Sequence, residues 1–566
     1  MVLLNPKRHV RKYSDERSRE IMLKTIEFFE NKGLASIKED DHKKIWYREY
    51  LDFIKENKIF ATLLTPAKYS SDPDARWDTY RNCEFNEIIS FYGLGYWYTW
   101  QVSILGLGPI WMSKNEELKK KAAQALSEGG IFAFGLSERT HGADVYSTDM
   151  LLSPRGEGQY VANGEKYYIG NGNEAAMVST FGKVEGTKDY VFFVANFKQP
   201  GYELIKNVCD SQNYVANYAL HDYPITDAEI LVRGDEAFST ALNTVNVGKY
   251  NLGWASIGIC THAFYEAISH AANRVLYGMR VTDFPHVKQM FTDAYTRLVA
   301  MKLVALRASD YQRTASLKDR RYLLYNPVVK MKVTSQGEDV ITLLWDVIAA
   351  RGFEKNTYFE MAARDIRTLP RLEGTVHVNI ALIVKFMANY FFNPGRFPEI
   401  GKIMHTKCDE FLFNQGPSRG LGKIQFNDYK PIFGEFNIPN VHVFSEQIEV
   451  FKQFLAAATP SDEQKKDIDF LMSLGEIFTL VVYGQLILEE AKLQKLPSDL
   501  IDQIFDFMVR DFSKFAVALY GKPSSTLQQM EFFLKMIRKP AVDQRRYDNI
   551  WQNHVHALKD AYVMKE

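Results

Sequence analysis

The chain has 566 residues, 46% apolar and 24% charged, with only 34 glycines and 19 prolines. That length accommodates three or four domains, the composition excludes a disordered chain, and scarce breakers point to helices. The 69 basic and 69 acidic residues cancel, so no global field draws the protein to nucleic acid or an anionic membrane.

The first 130 residues read mostly as helix. Ser14-Asp15-Glu16 caps a helix through MLKTIEFFENKG that Gly33 ends, and Asp40-Asp41 precede another. NEELKKKAAQALSEGG is a short helix stopped by Gly129-Gly130. From Ile131 to about Val232, IFAFGLS, QYVANGEKYYIGNG, YVFFVANF and AEILV read as strands, with Asn163-Gly164 as a hairpin turn. Helical periodicity returns near Ala237. Val287, Phe291, Ala294, Leu298, Met301 and Ala305 then fall on one helix face. Loop-like sequence covers 393–438, and a second helical block begins near Val441. Phe470–Leu488 is about long enough to cross a bilayer. It contains Glu476 and Gln485 between charged flanks, so it reads as a buried bundle helix and no transmembrane segment is expected. The first twenty residues have no signal-peptide apolar core. Cys83, Cys209, Cys260 and Cys408 form no C-x-x-C pair, which argues against a zinc ribbon or disulfide framework and fits a reducing, cytoplasmic setting. The expected architecture is α+β, mainly α: a helical domain at 1–130, a β domain at 131–235, a four-helix bundle at 236–395 and an additional helical domain at 396–566.

Three segments offer chemistry. FAFGLSERTHGADVYSTD, 132–149, leaves a strand through a polar turn where the Ser137 hydroxyl and backbone amides can meet a flat polar ring edge. Asn163–Gly172 sets a tyrosine pair beside glycines that permit close backbone approach. Arg371-Leu-Glu373-Gly374-Thr375 presents a glutamate beside glycine, a sterically open carboxylate that a dry cleft would turn into a base. Each also has a plain structural reading, as a β-turn, a hairpin and a helix first turn. His554 and His556, two apart, face different sides of a helix, and no H-E-x-x-H, G-x-S-x-G, Walker A or strand-borne G-x-G-x-x-G occurs. No metal is therefore expected.

Taken in order, these segments resemble the acyl-CoA dehydrogenase family of flavoproteins. Ser137-Glu138 with Gly142-Ala143-Asp144 resembles its strand-exit motif. Asn163 to Gly172 resembles its Asn-Gly to aromatic-Ile-Thr-Asn-Gly segment. Arg274-Val-Leu-Tyr277-Gly278 resembles its Arg-x-x-Phe-Gly, and Arg364-Asp365 with Glu373-Gly374-Thr375 its Arg-Asp and Glu-Gly-Thr. The likeness runs from about Met22 to Asn393. Residues 396–566 then resemble the extra helical domain of longer relatives, which are usually homodimers.

The resemblance implies FAD extended between β domain and bundle, and α,β-dehydrogenation of an acyl-CoA to a trans-2-enoyl-CoA. Glu373 would be the base and flavin N5 the hydride acceptor, with electrons passed to electron-transfer flavoprotein. The thioester oxygen would be held by the backbone amide of the base and a flavin ribityl hydroxyl. Phe134, Leu136, Ser137, Tyr168 and Gly170 would lie at the flavin ring. Arg274 would hold the pyrophosphate across a dimer, with Tyr277, Asp346 and Thr375 completing the cofactor set. Ala143, Asn246, Lys249 and Gly374 would lie near the acyl-CoA. The departures concern that contact set. Tyr168 stands for tryptophan, Gly170 for threonine, Asp346 for glutamine and Ala349-Ala350 for Gly-Gly. Pro285 and His377 stand for glutamines, and Ala143 for a serine. An acyl-CoA oxidase or an AidB-like protective flavoprotein are the competing readings.

Overall fold

The computed structural model describes residues 3–8 and 12–565. These form two compact units. One comprises 12–251, 404–419 and 565, the other 3–8, 252–403 and 420–564.

The first unit opens with helices and continues into a sheet. Asp15 caps the first helix, Glu16–Lys43, by accepting from the Ser18 amide at 2.7 Å. Gly33 does not end this helix. It takes φ 75°, a conformation without steric cost for glycine, and so bends the chain, which resumes helix through Asp40 and Asp41. Lys44 ends it in the left-handed region. Helices Thr79–Tyr92 and Leu94–Met112 are almost wholly buried.

Eight strands follow: β1 (Phe132–Gly135), β2 (Leu151–Gly156), β3 (Gln159–Gly170), β4 (Met177–Val184), β5 (Tyr190–Ala195), β6 (Tyr202–Asn207), β7 (Val215–Thr226) and β8 (Ile230–Arg233). Their order is β6-β7-β3-β2-β4-β5-β8, with β1 joining β4 in parallel. Ala133, Leu152, Ile169, Val178, Phe193 and Tyr218 are among its core residues. Asn163-Gly164 is not a turn. It lies inside β3, where the register against β7 slips between Ala162 and Gly164. The hairpin closes earlier, at Glu157-Gly158, and the Asn-Gly pair makes a bulge. Helix Leu94–Met112 lies directly on β1, where a side chain at Gly106 would sit 2.6 Å from the Ala133 nitrogen.

The second unit is helical. Its long members are Asn251–Asn273, Pro285–Arg313, Thr334–Ile348, Pro439–Ala457, Ile468–Gln494 and Ser498–Tyr520. Ile468–Gln494 is long and apolar enough to cross a membrane, yet 89% of its most apolar window is buried in the protein, so it is a core helix. Buried ion pairs tie it and its successor to the earlier helices. Arg307 meets Glu489 at 2.7 Å, Lys332 meets Glu476 at 2.9 Å and Arg297 meets Asp511 at 2.7 Å. The architecture is the mainly helical α+β arrangement expected, with further helices after residue 396.

Candidate active site

In the first unit the structure brings two of the predicted segments together. Past β1, the Ser137 carbonyl accepts from the Tyr167 amide at 3.0 Å, which sets Ser137 beside the Tyr167-Tyr168 pair. Lys166 is fully buried and donates to the Leu136 carbonyl at 3.1 Å and to Glu138 at 2.6 Å. Burial alone would raise the Glu138 carboxyl. The Lys166 ammonium, the Thr148 hydroxyl and the Asp149 amide reverse this and keep it ionised. Glu138, His141 and Asp149 place three ligand atoms within 4.8 Å of one another, but Lys166 already supplies the countercharge.

Tyr168 holds φ 65° and is 60% exposed, its ring edge-on to that of Tyr167 at 4.7 Å. Phe134 is buried, while Leu136 and Ser137 are half-buried. Gly170 is engaged differently. A side chain there would strike Tyr98 and Val102 at 2.7 Å, so the space that threonine would need is filled by helix Leu94–Met112. Asn246 and Lys249 lie at the end of helix Asp235–Gly248, both buried, and Asn246 donates to Gln415 at 3.4 Å. Ala143 is exposed in the loop after β1.

The second unit holds the other segments. Glu373 and Gly374 take φ 52° and 90°, two successive left-handed residues, and Thr375 caps helix Val376–Ile383. Positive φ is uncommon outside glycine, and such strain gathers at functional sites. Among the described residues ten non-glycines have it, and Tyr168, Tyr277 and Glu373 are three of them. The turn is held from below. Asn379 Nδ2 donates to the Gly374 carbonyl at 3.0 Å and to that of Thr375 at 2.9 Å, and the buried Lys330 ammonium also reaches the Gly374 carbonyl, at 2.5 Å.

Arg274 and Tyr277 lie on a two-stranded hairpin, Val275–Leu276 with Met279–Arg280. Tyr277 stands at its tip, 96% exposed. Asp346 is exposed near the end of helix Thr334–Ile348, and Ala349 behind it takes the glycine conformation, φ 56° and ψ −132°. Two residues that the sequence did not single out join this corner. Burial, then the guanidiniums of Arg351 and Arg274, push the His270 imidazole below its usual range. Its Nε2 is buried without a hydrogen-bond partner. Two guanidiniums and an unsatisfied imidazole nitrogen suit a multiply charged anion, although the Glu354 carboxylate, 4.0 Å from Arg351, shares this corner. Arg351 follows directly on Ala349-Ala350, which is the one signal that could have found it.

Comparison with known proteins accords with this geometry. Residues 236–388 match the family model "Acyl-CoA dehydrogenase, C-terminal domain". The short-chain-specific acyl-CoA dehydrogenase of Megasphaera elsdenii is 23% identical over 365 residues, 62% of this chain and 93% of that protein. The caffeyl-CoA reductase–Etf complex subunit CarC of Acetobacterium woodii is 26% identical over 49% of this chain and 73% of its own. The crystal structure of an acyl-CoA dehydrogenase complexed with FAD from Bacillus anthracis superposes with a TM-score of 0.74 at 16% identity. It covers 99% of this chain and 97% of its own, so the helices beyond 396 belong to a shared fold. The matched segment includes the Glu373-Gly374 turn, so residues 236–388 carry an acyl-CoA dehydrogenase C-terminal domain, and the chain as a whole is similar to that family.

Proposed function

We propose that the protein dehydrogenates an acyl-CoA thioester between its α and β carbons, giving the trans-2-enoyl-CoA with FAD as oxidant. The observation that carries this reading is the Glu373-Gly374 turn, a half-buried carboxylate on a backbone forced into the left-handed region and fixed by hydrogen bonds to its carbonyls. Glu373 takes the α-proton, and the bond electrons flow into the forming double bond. When bound, FAD supplies the acceptor for the hydride leaving the β-carbon. A thioester α-proton is a very weak acid, so the developing enolate needs donors at its oxygen. The residues present fit the cofactor. Arg274, with Arg351 and His270, would hold its diphosphate, and the orphaned His270 Nε2 gains a partner there. Ser137 and Tyr168 would meet the flavin ring, with Phe134 and Leu136 behind them. Gly170, with no room for a side chain against helix Leu94–Met112, would meet the flavin through its backbone. Tyr277, Asp346 and Thr375 remain the outer members of the cofactor set, and Ala143, Asn246, Lys249 and Gly374 those nearest the substrate.

Electron-transfer flavoprotein is the proposed acceptor, supported by the Etf complex named for the A. woodii relative. A cytoplasmic homodimer working in fatty-acid β-oxidation is the proposed setting. The hairpin's apolar tip, with Val275 61% and Tyr277 96% exposed, supports the dimer, because a second copy would cover it.

The direct test is the visible spectrum of the purified protein during anaerobic addition of acyl-CoAs of different lengths. A flavin band that bleaches with some of them is expected, and one that none bleaches rejects the reaction. Reoxidation by electron-transfer flavoprotein against oxygen, with peroxide measured, separates dehydrogenase from oxidase. Arg274→Ala and Arg351→Ala should each weaken FAD retention, on the order of tenfold or more for Arg274. The flavin-to-protein ratio after dialysis reads this, and full retention in both variants removes the arginines from the diphosphate role.

A further inference from the structure

We propose that Lys330 is a positioning residue that clamps the Glu373 turn in its left-handed conformation. This rests on the reading of Glu373 as the base. The observations are local and mutually supporting. Lys330 is completely buried, on a single turn of π-helix, Val329–Val333, set between helices Tyr322–Val328 and Thr334–Ile348. Such turns insert one extra residue into a helix, and they recur at functional sites. The Lys330 ammonium donates to the Pro370 carbonyl at 2.6 Å and to the Gly374 carbonyl at 2.5 Å. One cation thus bridges both ends of the five-residue segment that carries Glu373.

A buried ammonium is costly unless its protons find acceptors, and these carbonyls offer short, charge-assisted ones. The exchange fixes the turn. With the carbonyls at 370 and 374 both anchored, the backbone between them has little freedom to relax Glu373 out of φ 52°. Asn379 adds a second donor to the Gly374 carbonyl. The π-turn is itself anchored from the other side, because Lys332, two residues on, pairs with Glu476 at 2.9 Å. Two lysines in the otherwise apolar run VVKMKV therefore do different work. One secures the turn to the base, and the other secures it to the core helix Ile468–Gln494.

The test compares Lys330→Met with Lys330→Gln in the FAD-loaded full-length protein. The methionine removes both donors, whereas the glutamine amide can satisfy one carbonyl. Both should retain flavin. With a wild-type acyl-CoA substrate, the limiting rate of anaerobic bleaching should fall roughly 10- to 100-fold in the methionine variant and less in the glutamine variant, with the half-saturating substrate concentration little changed. Amide hydrogen exchange over 370–379, measured without substrate, should quicken in the same order. Wild-type bleaching rates in both variants, or exchange unchanged in both, overturns the clamp. If the wild-type protein bleaches with no acyl-CoA, the proposed reaction fails, and the exchange measurement still decides on the clamp by itself.

Discussion

Replacing Glu373 with glutamine should leave the flavin spectrum and FAD content as in wild type, and slow anaerobic reduction by acyl-CoA by roughly 10²- to 10⁴-fold, the contribution of a positioned general base. The substitution is close to isosteric, and hydrogen bonds to the carbonyls of Pro370, Gly374 and Thr375 set the turn. The backbone geometry should therefore survive, and only the proton acceptor is lost. Stopped-flow bleaching over a range of substrate concentrations measures this. A fall in the saturating rate is the expected result. Wild-type reduction by the glutamine variant assigns the α-proton to another group.

How far such a site can be read from sequence depends on whether its logic is local. Glu373 beside Gly374, the strand exit at Ser137 and the tyrosine pair are each contiguous in the chain, so their order was legible. So was the apolar helix at Ile468–Gln494, because Glu476 and Gln485 inside it need polar partners. Those partners exist: Lys332 at 2.9 Å for the first, and the Tyr390 hydroxyl for the second. What stayed hidden depends on pairing between distant segments. Asn163-Gly164 satisfies the local rule for a turn, but β7 pairs across it and makes a bulge. Gly33 satisfies the local rule for a helix stop, yet burial of Ile37 and Lys38 beyond it carries the helix on. Lys330 appears only as a lysine in an apolar run until Pro370 and Gly374, 40 and 44 residues away, arrive as acceptors. His270 and Arg351 acquire meaning only from each other and from Arg274.

Asp511→Ala should destabilise the helical unit by about 3–5 kcal/mol, the usual cost of leaving one partner of a buried ion pair uncompensated. Arg297 meets Asp511 through two bonds, at 2.7 and 2.8 Å, and also donates to Gln336 at 2.6 Å while its guanidinium lies 4.5 Å from the centre of the Phe507 ring. Removing the carboxylate leaves that buried guanidinium with the Gln336 bond and only a longer contact to Asp339, at 3.9 Å. A double replacement, Arg297→Met with Asp511→Leu, should recover much of the loss, because it removes both charges. The midpoint of denaturant unfolding reads both variants, and an unchanged midpoint for Asp511→Ala rejects the argument. The pair also sets a pH dependence. Burial would raise the Asp511 carboxyl, but the Arg297 guanidinium, Lys332 and Gln336 outweigh it and hold the group at about 2, against 3.8 ordinarily. A carboxyl depressed in the folded state contributes its stability above the unfolded value and loses it as pH falls towards the folded one. The gap between wild type and Asp511→Ala should thus be full above about pH 4 and shrink towards pH 2. Arg297 and Gln336 lie in the segment matched to the family's C-terminal domain, and Asp511 lies beyond it. A measured loss would mean that the added helices hold in place the same helices that carry Lys330 and, through it, the Glu373 turn.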